Sequence, residues 1–298
     1  MISIITPNFN GERYLRECLN SVANQTLAQD QIEMIIADDG STDNSLNIIE
    51  TYASKIQNLK LIKCAHIGKP SAMRNIALKN AHGEYVLFLD SDDYLGIDAL
   101  RRLDQFSRRT NADVIAFQLK GLNRKVPHSM LTKTIDNADL VDSGIYKTIG
   151  IWKMCRRNFI AKKQIKFRED LGRGDDCVFF TEALLRAAKL SILSNYDFMY
   201  IRGRKEGDSI TQKTWPIQSR ILVMEESVKI IQKFASDKNI ANHFFVRIFN
   251  FDMVEIIKDP LFNGSIALEL HTKFHRYWND QVKSLALSEN VPILERIN

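Results

Sequence analysis

The first hundred residues alternate short apolar runs with longer stretches whose apolar residues recur at helical spacing. Four runs rich in β-branched or aromatic side chains predict buried strands, at residues 2–6, 34–37, 59–62 and 85–89. Helical spacing predicts helices at residues 11–25, 45–54, 71–80, 95–109 and 176–189. Strands that alternate with helices indicate a parallel sheet covered on both faces. The predicted fold class is therefore α/β.

Three of the predicted strands run directly into polar sequence. Pro7 follows the first strand, Asp38 and Asp39 follow the second, and the run Asp90-Ser91-Asp92-Asp93 follows the fourth. Parallel strands place these ends at one edge of the sheet, where α/β folds bind ligands. Carboxylates at positions i and i+2 are costly to bury unpaired, and a Mg²⁺ or Mn²⁺ ion holding a nucleotide diphosphate explains them. Because an Asp-x-Asp alone more often marks a surface turn, the prediction depends on the alignment of the three ends.

The base of the nucleotide is expected at the ends of the first two strands. A carboxylate of Asp38 or Asp39 can accept a hydrogen bond from the imide N–H of uracil, and Phe9 can stack on the base. The alternative is that one of the two aspartates caps the helix predicted to start at Ser45. Capping explains one aspartate, but not the alignment with the acidic run after the fourth strand.

Two basic features are expected to face the diphosphate. Arg74 falls in the first turn of a helix that follows Gly68-Lys69-Pro70, where its guanidinium and the helix amides suit an anion. The loop at residues 200–211 carries Arg202 and two further cations between glycines, and such a loop can close over a leaving group. Taken singly, an exposed helix arginine and a flexible basic linker explain the same residues.

A candidate catalytic base lies at the start of the helix predicted at residues 176–189. Asp175 and Asp176 follow Gly172-Arg173-Gly174. A carboxylate in this position is usually a helix cap. A rigidly held carboxylate at a helix start can also deprotonate a substrate hydroxyl. The two roles can be divided between Asp175 and Asp176.

Charge is distributed unevenly along the chain. Residues 1–100 carry a net charge of −5, whereas residues 101–168 hold 16 basic and 5 acidic side chains, a net charge of +11. The basic segment suits an anionic partner such as a phosphate-rich glycan or nucleic acid, or forms a solvated basic face. Because it lacks an RNA-binding aromatic pattern, a non-catalytic nucleic-acid binder is only a remote alternative. A nucleotidylyltransferase would carry a glycine-rich phosphate loop after the first strand, which this sequence lacks.

From about residue 216 the pattern is helical, at residues 217–236, 240–258 and 264–286. This change predicts a boundary near residue 214, between a catalytic unit (1–214, with halves 1–118 and 119–214) and a helical C-terminal region (215–298). The four cysteines lack metal-ligand spacing, and no apolar run is as long as a membrane span. We therefore expect a cytoplasmic protein, at most peripherally associated with the inner face of the cell membrane.

Taken in order, the motifs resemble those of the family 2 inverting glycosyltransferases, which have the GT-A fold. The matching segments are Thr6-Pro7-Asn8-Phe9-Asn10, Asp38-Asp39-Gly40-Ser41-Thr42-Asp43, Arg74-Asn75, Gly83-Glu84-Tyr85 and Asp90-Ser91-Asp92-Asp93. The resemblance extends over roughly residues 1–215. It implies a Rossmann-like catalytic domain that binds a nucleotide sugar.

The resemblance also implies roles for individual residues. Asp39 would contact uracil, Asp90 would serve the ribose and metal end, and Asp92 would be the principal ligand of Mn²⁺ or Mg²⁺. Asp176 would be the catalytic base, although Asp175 stands where the family usually has Glu. The remaining donor-binding residues implied are Thr6, Pro7, Phe9, Arg74, Arg202 and Ser209.

Within the family, the chain is most similar to enzymes that add N-acetylglucosamine to the poly(ribitol phosphate) of wall teichoic acid. The similarity is carried by Lys69-Pro70, Arg74-Asn75, Lys120-Gly121-Leu122-Asn123 and Val126-Pro127-His128-Ser129-Met130. It implies transfer from UDP-N-acetylglucosamine (UDP-GlcNAc) to a hydroxyl of an anionic polymer, and a trimer built by the C-terminal helices. The main alternative is a glycosyltransferase that acts on a capsular, exopolysaccharide or lipid-linked saccharide acceptor.

Overall fold

Parallel strands at the centre of the structure carry the polar segments singled out above. The computed structural model describes residues 1–124, 126, 132–203 and 215–288. Their strands are β1 (Ile2–Asn8), β2 (Ile32–Asp38), β3 (Asn58–Lys63), β4 (Tyr85–Phe88), β5 (Tyr94–Leu95), β6 (Val114–Phe117), β7 (Leu119–Leu122), β8 (Ile135–Ala138), β9 (Lys153–Arg156), β10 (Leu190–Leu193) and β11 (Met199–Arg202). The larger sheet has the order β3-β2-β1-β4-β9-β6-β10-β8, and the smaller one has the order β5-β11-β7.

Helices cover both faces of the larger sheet and continue to the end of the described chain. They are α1 (Glu12–Ala23), α2 (Ser45–Glu50), α3 (Pro70–Lys79), α4 (Ala99–Thr110), α5 (Arg157–Lys163), α6 (Asp175–Arg186), α7 (Ile217–Phe234), α8 (Lys238–Arg247), α9 (Val254–Ile257), α10 (Gly264–Phe274) and α11 (Asp280–Ser288). A π-helix, Ile248–Met253, joins α8 to α9. Among the described residues, no helix is both long and apolar enough to cross a bilayer.

The predicted α/β class is confirmed, and the differences are local. The helix expected at residues 45–54 ends at Glu50, because turns follow it. The helix expected from residue 95 begins at Ala99, because Leu95 instead pairs with Met199 in the smaller sheet. Both sheets also contain antiparallel pairs, such as β4 with β9, which the strand–helix alternation did not predict.

Alternate side chains of the central strands fill two separate apolar layers. On β1, Ile4 belongs to the layer with α1 and α4, while Ile5 belongs to the layer with α3 and α6. Leu87 and Phe88 of β4 divide in the same way. Because both faces are covered, these strands read as continuous apolar runs rather than as alternating ones.

The C-terminal helices share the second of these layers with the sheet. Met224 of α7 and Phe244 of α8 are buried in the same apolar cluster as Phe88 of β4 and Phe180 of α6. The apolar core is therefore continuous on both sides of residue 214. A boundary at that residue stays a prediction.

A polar network closes the edge of the sheet opposite the polar strand ends. Glu33 accepts hydrogen bonds from Ser3 and from His82, whose backbone N–H lies 2.9 Å away, and the Gly83 N–H donates to Ser3 Oγ at 2.8 Å. Burial acts to raise the pKa of Glu33, but the hydrogen bonds from His82 and Ser3 outweigh it and lower the pKa. A Cβ on Gly83 would lie 2.6 Å from the backbone N of Ser3, so the site accepts only glycine without a backbone shift.

We expect Gly83→Ala to lower the free energy of unfolding by about 2 kcal/mol, because the added methyl group must displace buried backbone. The matched control is Gly264→Ala, where a Cβ would meet no atom within 4 Å. Urea unfolding of both variants measures the difference. Equal stability of the two would contradict the close packing of Gly83 on β1.

Candidate active site

The structure brings together the three polar strand ends. Asn8 of β1 lies beside Asp38 of β2 in parallel register. The Leu89 N–H, directly after β4, donates to the Ile5 carbonyl at 3.0 Å, and this bond brings Asp90 to the same edge. The expectation that these segments meet at one edge of the sheet is confirmed.

Three carboxylates cluster after β4. Oxygens of Asp90, Asp92 and Asp93 all lie within 4.8 Å of one another. Burial, and then the charges of Asp92 and Asp90, raise the pKa of Asp93 well above its usual range. Carboxylates this close together repel one another, and a bound cation would reduce the repulsion. An all-oxygen donor set fits Mg²⁺ or Mn²⁺, so the residues present suit the metal that the sequence implied.

A cavity of about 330 Å³ adjoins this acidic cluster. It lies between the loop that follows β1 and the turn that carries Asp92, and its lining includes Asn10, Gly11, Tyr14 and Ser91. Asp92 of the acidic cluster therefore lines a cavity on the side on which the nucleotide was expected.

Arg202 is hydrogen-bonded to the acidic turn formed by Asp92 and Asp93. Its backbone N–H donates to Asp93 Oδ1 at 2.8 Å, and its Nε donates to the Asp92 carbonyl oxygen at 3.0 Å. The guanidinium also pairs with Glu17 and lies 5.1 Å from the centre of the Tyr14 ring. These contacts place Arg202 at the acidic turn, with its Nε and Nη2 bonded to protein oxygens, and its role at a diphosphate stays a prediction.

Arg74 links the acidic cluster to the helix that carries the candidate base. Its Nη2 donates to Asp90 Oδ1 at 2.8 Å and its Nη1 donates to Asp175 Oδ2 at 3.1 Å. The arginine is only 7% exposed, and these two carboxylates together raise its pKa in spite of burial. Arg74 therefore already holds two carboxylates, and diphosphate binding by its guanidinium stays a prediction.

Helix α6 positions Asp175 and Asp176 differently. Gly174, at φ +77°, turns the chain into the helix through a conformation that favours glycine. Asp175 is buried against Arg74, and its burial raises its pKa to about 6 although Arg74 opposes the shift. Asp176 is less buried, and its Oδ1 accepts from the Cys177 N–H at 2.9 Å. The carboxylate nearer to solvent is thus Asp176, the predicted base.

The two aspartates after β2 also have separate roles. Asp38 is buried and accepts hydrogen bonds from Asn8 and Ser41, so it fixes the loops after β1 and β2. Asp39 accepts from the backbone N–H groups of Ile67 and Gly68, both at 2.8 Å. The capping alternative is wrong for both aspartates, because the Ser45 N–H at the start of α2 donates to Asp43 instead.

Phe9 projects from the edge beside Asp39. Its ring is 46% exposed and stacks on His66, with ring centres 4.1 Å apart. His66 in turn lies 3.2 Å from Asp39 Oδ2. The sequence analysis missed His66, although its place after the third parallel strand is a signal that could have found it. Stacking of a nucleobase on this aromatic pair stays a prediction.

The remaining predicted donor residues differ in position. Thr6 is completely buried within the sheet, whereas Pro7, the next residue, is partly exposed at its edge. Ser209 lies outside the described residues. The donor-binding roles of Thr6, Pro7 and Ser209 stay predictions.

Lys153 is a buried charged residue near α6, and the sequence analysis missed it as well. It is 1% exposed, and its ammonium donates to the carbonyl oxygens of Thr148 and Gly150. It also lies 4.7 Å from the centre of the Phe180 ring, one helical turn after Asp176. Burial lowers the pKa of Lys153 to about 7. Asp176 and the thiols of Cys155 and Cys177 oppose the shift, whereas Arg247 adds to it.

The model of glycosyl transferase family 2 matches residues 3–188, which include the acidic cluster and both aspartates of α6. The chain belongs to this family. The match covers more than half of the chain and accounts for both halves of the candidate site.

Curated relatives are named as poly(ribitol-phosphate) glycosyltransferases. The poly(ribitol-phosphate) beta-glucosyltransferase of Bacillus spizizenii is 39% identical over 79% of this chain and 37% of its own length. The poly(ribitol-phosphate) beta-N-acetylglucosaminyltransferase TarS of Staphylococcus aureus is 33% identical over 92% of this chain and 44% of its own length. The chain therefore spans less than half the length of these two relatives.

Solved structures agree with the fold. The crystal structure of S. aureus TarS 1–349 in complex with UDP-GlcNAc matches with a TM-score of 0.88 and 30% identity, over 99% of this chain and 86% of that one. A mannosyltransferase from Pyrobaculum calidifontis matches with a TM-score of 0.60 at 16% identity, which bears on the fold alone. The expected GT-A fold is confirmed.

We expect Arg74→Gln to lower the free energy of unfolding by about 3 kcal/mol, because it leaves Asp90 and Asp175 without their shared counter-charge. The matched control is Arg108→Gln on α4, which breaks only an exposed pair with Asp104 and should leave the free energy of unfolding nearly unchanged. Urea unfolding at neutral pH measures both. Equal losses would show that the Arg74 bridge contributes no more than a surface pair.

Stability should also depend on pH through Lys153. The unfolded lysine keeps its proton below pH 10, whereas the folded one releases it above about pH 7, so stability rises with pH in between. Between about pH 7 and 8.5 we expect this residue to add about 1–2 kcal/mol to the free energy of unfolding. Urea unfolding of Lys153→Met should show a correspondingly weaker rise. An unchanged pH dependence would contradict the lowered pKa.

Proposed function

We propose that this chain is an inverting glycosyltransferase that moves a sugar from a UDP-sugar onto a hydroxyl of poly(ribitol phosphate). The observation that carries the proposal is the bridge through Arg74, which joins the acidic cluster at Asp90 to the base-bearing helix at Asp175. One crevice thus contains a site suited to a nucleotide diphosphate and, beside it, a carboxylate suited to proton abstraction. The family membership and the names of the relatives support the same reaction.

The two halves of the crevice have different roles in the proposed reaction. Asp176 accepts the proton of the acceptor hydroxyl, and the oxygen attacks the anomeric carbon on the face opposite the UDP. The bond from the anomeric carbon to the diphosphate oxygen breaks, and UDP leaves with the electron pair. Arg74 keeps Asp175, and with it the start of α6, at a fixed position relative to Asp90. Inversion follows from a single displacement.

Asp92, together with Asp90 and Asp93, would hold the divalent cation. When bound, Mg²⁺ or Mn²⁺ supplies positive charge for the leaving diphosphate. Asp39 would accept a hydrogen bond from uracil, and the Phe9–His66 pair would provide a stacking surface. The trimer stays a prediction from the resemblance, and the location at the inner face of the cell membrane stays a prediction from the sequence.

The donor is proposed to be UDP-GlcNAc, which the related TarS structure contains. UDP-glucose is its direct competitor, because the Bacillus spizizenii relative is named as a glucosyltransferase. The test is UDP release from a panel of UDP-sugars with Mn²⁺, with and without poly(ribitol phosphate). Polymer-stimulated turnover of one donor is expected. Turnover on neutral or lipid-linked saccharides without stimulation by the polymer would overturn the proposed acceptor.

We expect Asp176→Asn to lower kcat by about 10³-fold, because an amide cannot accept the acceptor proton. Binding of UDP, measured by calorimetry, should not change. The matched control is Asp280→Asn, a fully exposed carboxylate on α11, which should retain wild-type turnover. Full turnover by Asp176→Asn would assign the base to another residue.

A further inference from the structure

A second cavity, outside the candidate site, lies between α3 and α5. Its volume of about 430 Å³ falls within the range of ligand-binding clefts. Its apolar lining includes Leu78 of α3 and Ile160 of α5. Neither the donor site nor the base of the proposed reaction uses this cavity.

Four charged side chains line the cavity, and three of them are basic. The basic ones are Lys79, Arg157 and Lys166, and the acidic one is Glu169, so the lining is positively charged. Arg157 is held in place by a hydrogen bond from its Nε to the Gly83 carbonyl oxygen, 2.7 Å away. Lys79 and Lys166 are exposed, and neither forms an ion pair with a carboxylate of the described residues. The cavity therefore offers two ammonium groups to an anion.

Helix α3 is a wall common to this cavity and to the crevice of the candidate site. Asn75, which lines the cavity, directly follows Arg74, which binds Asp90 in the crevice. The Asn75 side chain donates to the Phe167 carbonyl at 2.8 Å and accepts from the Phe167 N–H at 3.0 Å. The Phe167 ring centre in turn lies 5.6 Å from the Arg74 guanidinium. A ligand in the cavity would therefore lie close to the Arg74 bridge without contacting the reacting groups.

The cavity also gives a role to part of the basic segment. Arg157 and Lys166 belong to residues 101–168, whose net charge is +11. Exposed Lys162 and Lys163, at the end of α5, add to the positive charge on this side of the molecule. The proposed donor site and base leave this charge unexplained.

We propose that this cavity binds a ribitol phosphate unit of the acceptor polymer at a distance along the polymer from the hydroxyl that reacts. The ammonium groups of Lys79 and Lys166 suit the phosphate, and the carbon chain of ribitol can pack on the apolar lining. Because the polymer repeats one unit, a single molecule can occupy the cavity and the crevice together, which strengthens its binding. The inference rests on the proposed function and deepens it, because it adds a second contact for long acceptors.

The test compares Lys79→Gln, Lys166→Gln and the double variant with the wild type, using long poly(ribitol phosphate) and a ribitol phosphate dimer as acceptors. We expect the double variant to raise KM for the long polymer about fivefold, as for the loss of two partly exposed ionic contacts. KM for the dimer and the Kd for UDP should not change, because a dimer that reacts in the crevice does not extend into the cavity. The increase should shrink at high salt, which weakens the wild-type contacts.

Two further variants separate the cavity from a general effect of charge. The combination of Lys55→Gln and Lys238→Gln removes the same charge from exposed lysines after α2 and at the start of α8, and it should behave as wild type. Ala161→Phe keeps every lysine but adds a large side chain to the lining of the cavity, so KM for the long polymer should rise again.

Several results would overturn the inference. One is an unchanged KM for the long polymer in the double variant, and another is an equal increase in the charge-matched control. An equal increase for the dimer would place the two lysines at the point of transfer rather than at a distant unit. A weaker Kd for UDP would assign them to the donor diphosphate. Circular dichroism checks that each variant is folded.

Failure of the proposed function is recognised separately. If the wild-type chain shows no polymer-stimulated turnover, binding of fluorescently labelled poly(ribitol phosphate) is measured by anisotropy. Weaker binding by the double variant than by the charge-matched control would support the cavity site without the reaction, and equal binding would overturn it. An equal loss of affinity for a single-stranded nucleic acid of the same charge would overturn the assignment to the acceptor polymer.

Discussion

The bridge that Arg74 forms between Asp90 and Asp175 is the interaction on which the site depends. The two aspartates belong to different parts of the fold, since one follows a central strand and the other begins α6, and Arg74 and Asp175 are 101 positions apart in the chain. Because the arginine is almost fully buried, its charge is screened little by water, and both carboxylates hold its position. The bridge thereby helps to fix the start of α6 relative to the acidic cluster.

The acidic turn after β4 is supported in the same way from its other side. Arg202 donates both a backbone and a side-chain hydrogen bond to the Asp92–Asp93 turn and pairs with Glu17 of α1. The smaller sheet, which contains Arg202 at the end of β11, is thus tied to the larger one at the point where a cation would bind. Clustered carboxylates repel one another, and the guanidinium groups of Arg74 and Arg202 beside the acidic cluster reduce this repulsion.

The C-terminal helices contribute to the same site rather than standing apart from it. Trp215 packs over Gly174 at the entry to α6, and Met224 of α7 shares the apolar layer with Phe180 of α6. Arg247, at the end of α8, acts electrostatically on Lys153 and Cys177. The surroundings of Asp176 are therefore assembled from both sides of residue 214.

Much of the fold followed from local patterns, because strand and helix periods depend on the near neighbours of each residue. The four parallel strands, the acidic run after β4 and the aspartates at the start of α6 were all predicted from such patterns. The pairing of β9 between β4 and β6, and the small sheet around β11, were not predicted. Strands of only two to four residues carry little periodicity, and their partners are distant in the sequence.

The sequence by itself determined which chemical groups lie at the ends of strands and at the start of α6. Asp90 and Asp92 directly follow an apolar run, and Asp176 lies where a helical pattern begins. The tertiary structure decided which of them act together. It paired Arg74 with two carboxylates instead of leaving it exposed, and it buried Lys153 among carbonyl oxygens. The reason is physical: burial and charge pairing depend on distances between residues far apart in the chain, and only the packed fold sets those distances.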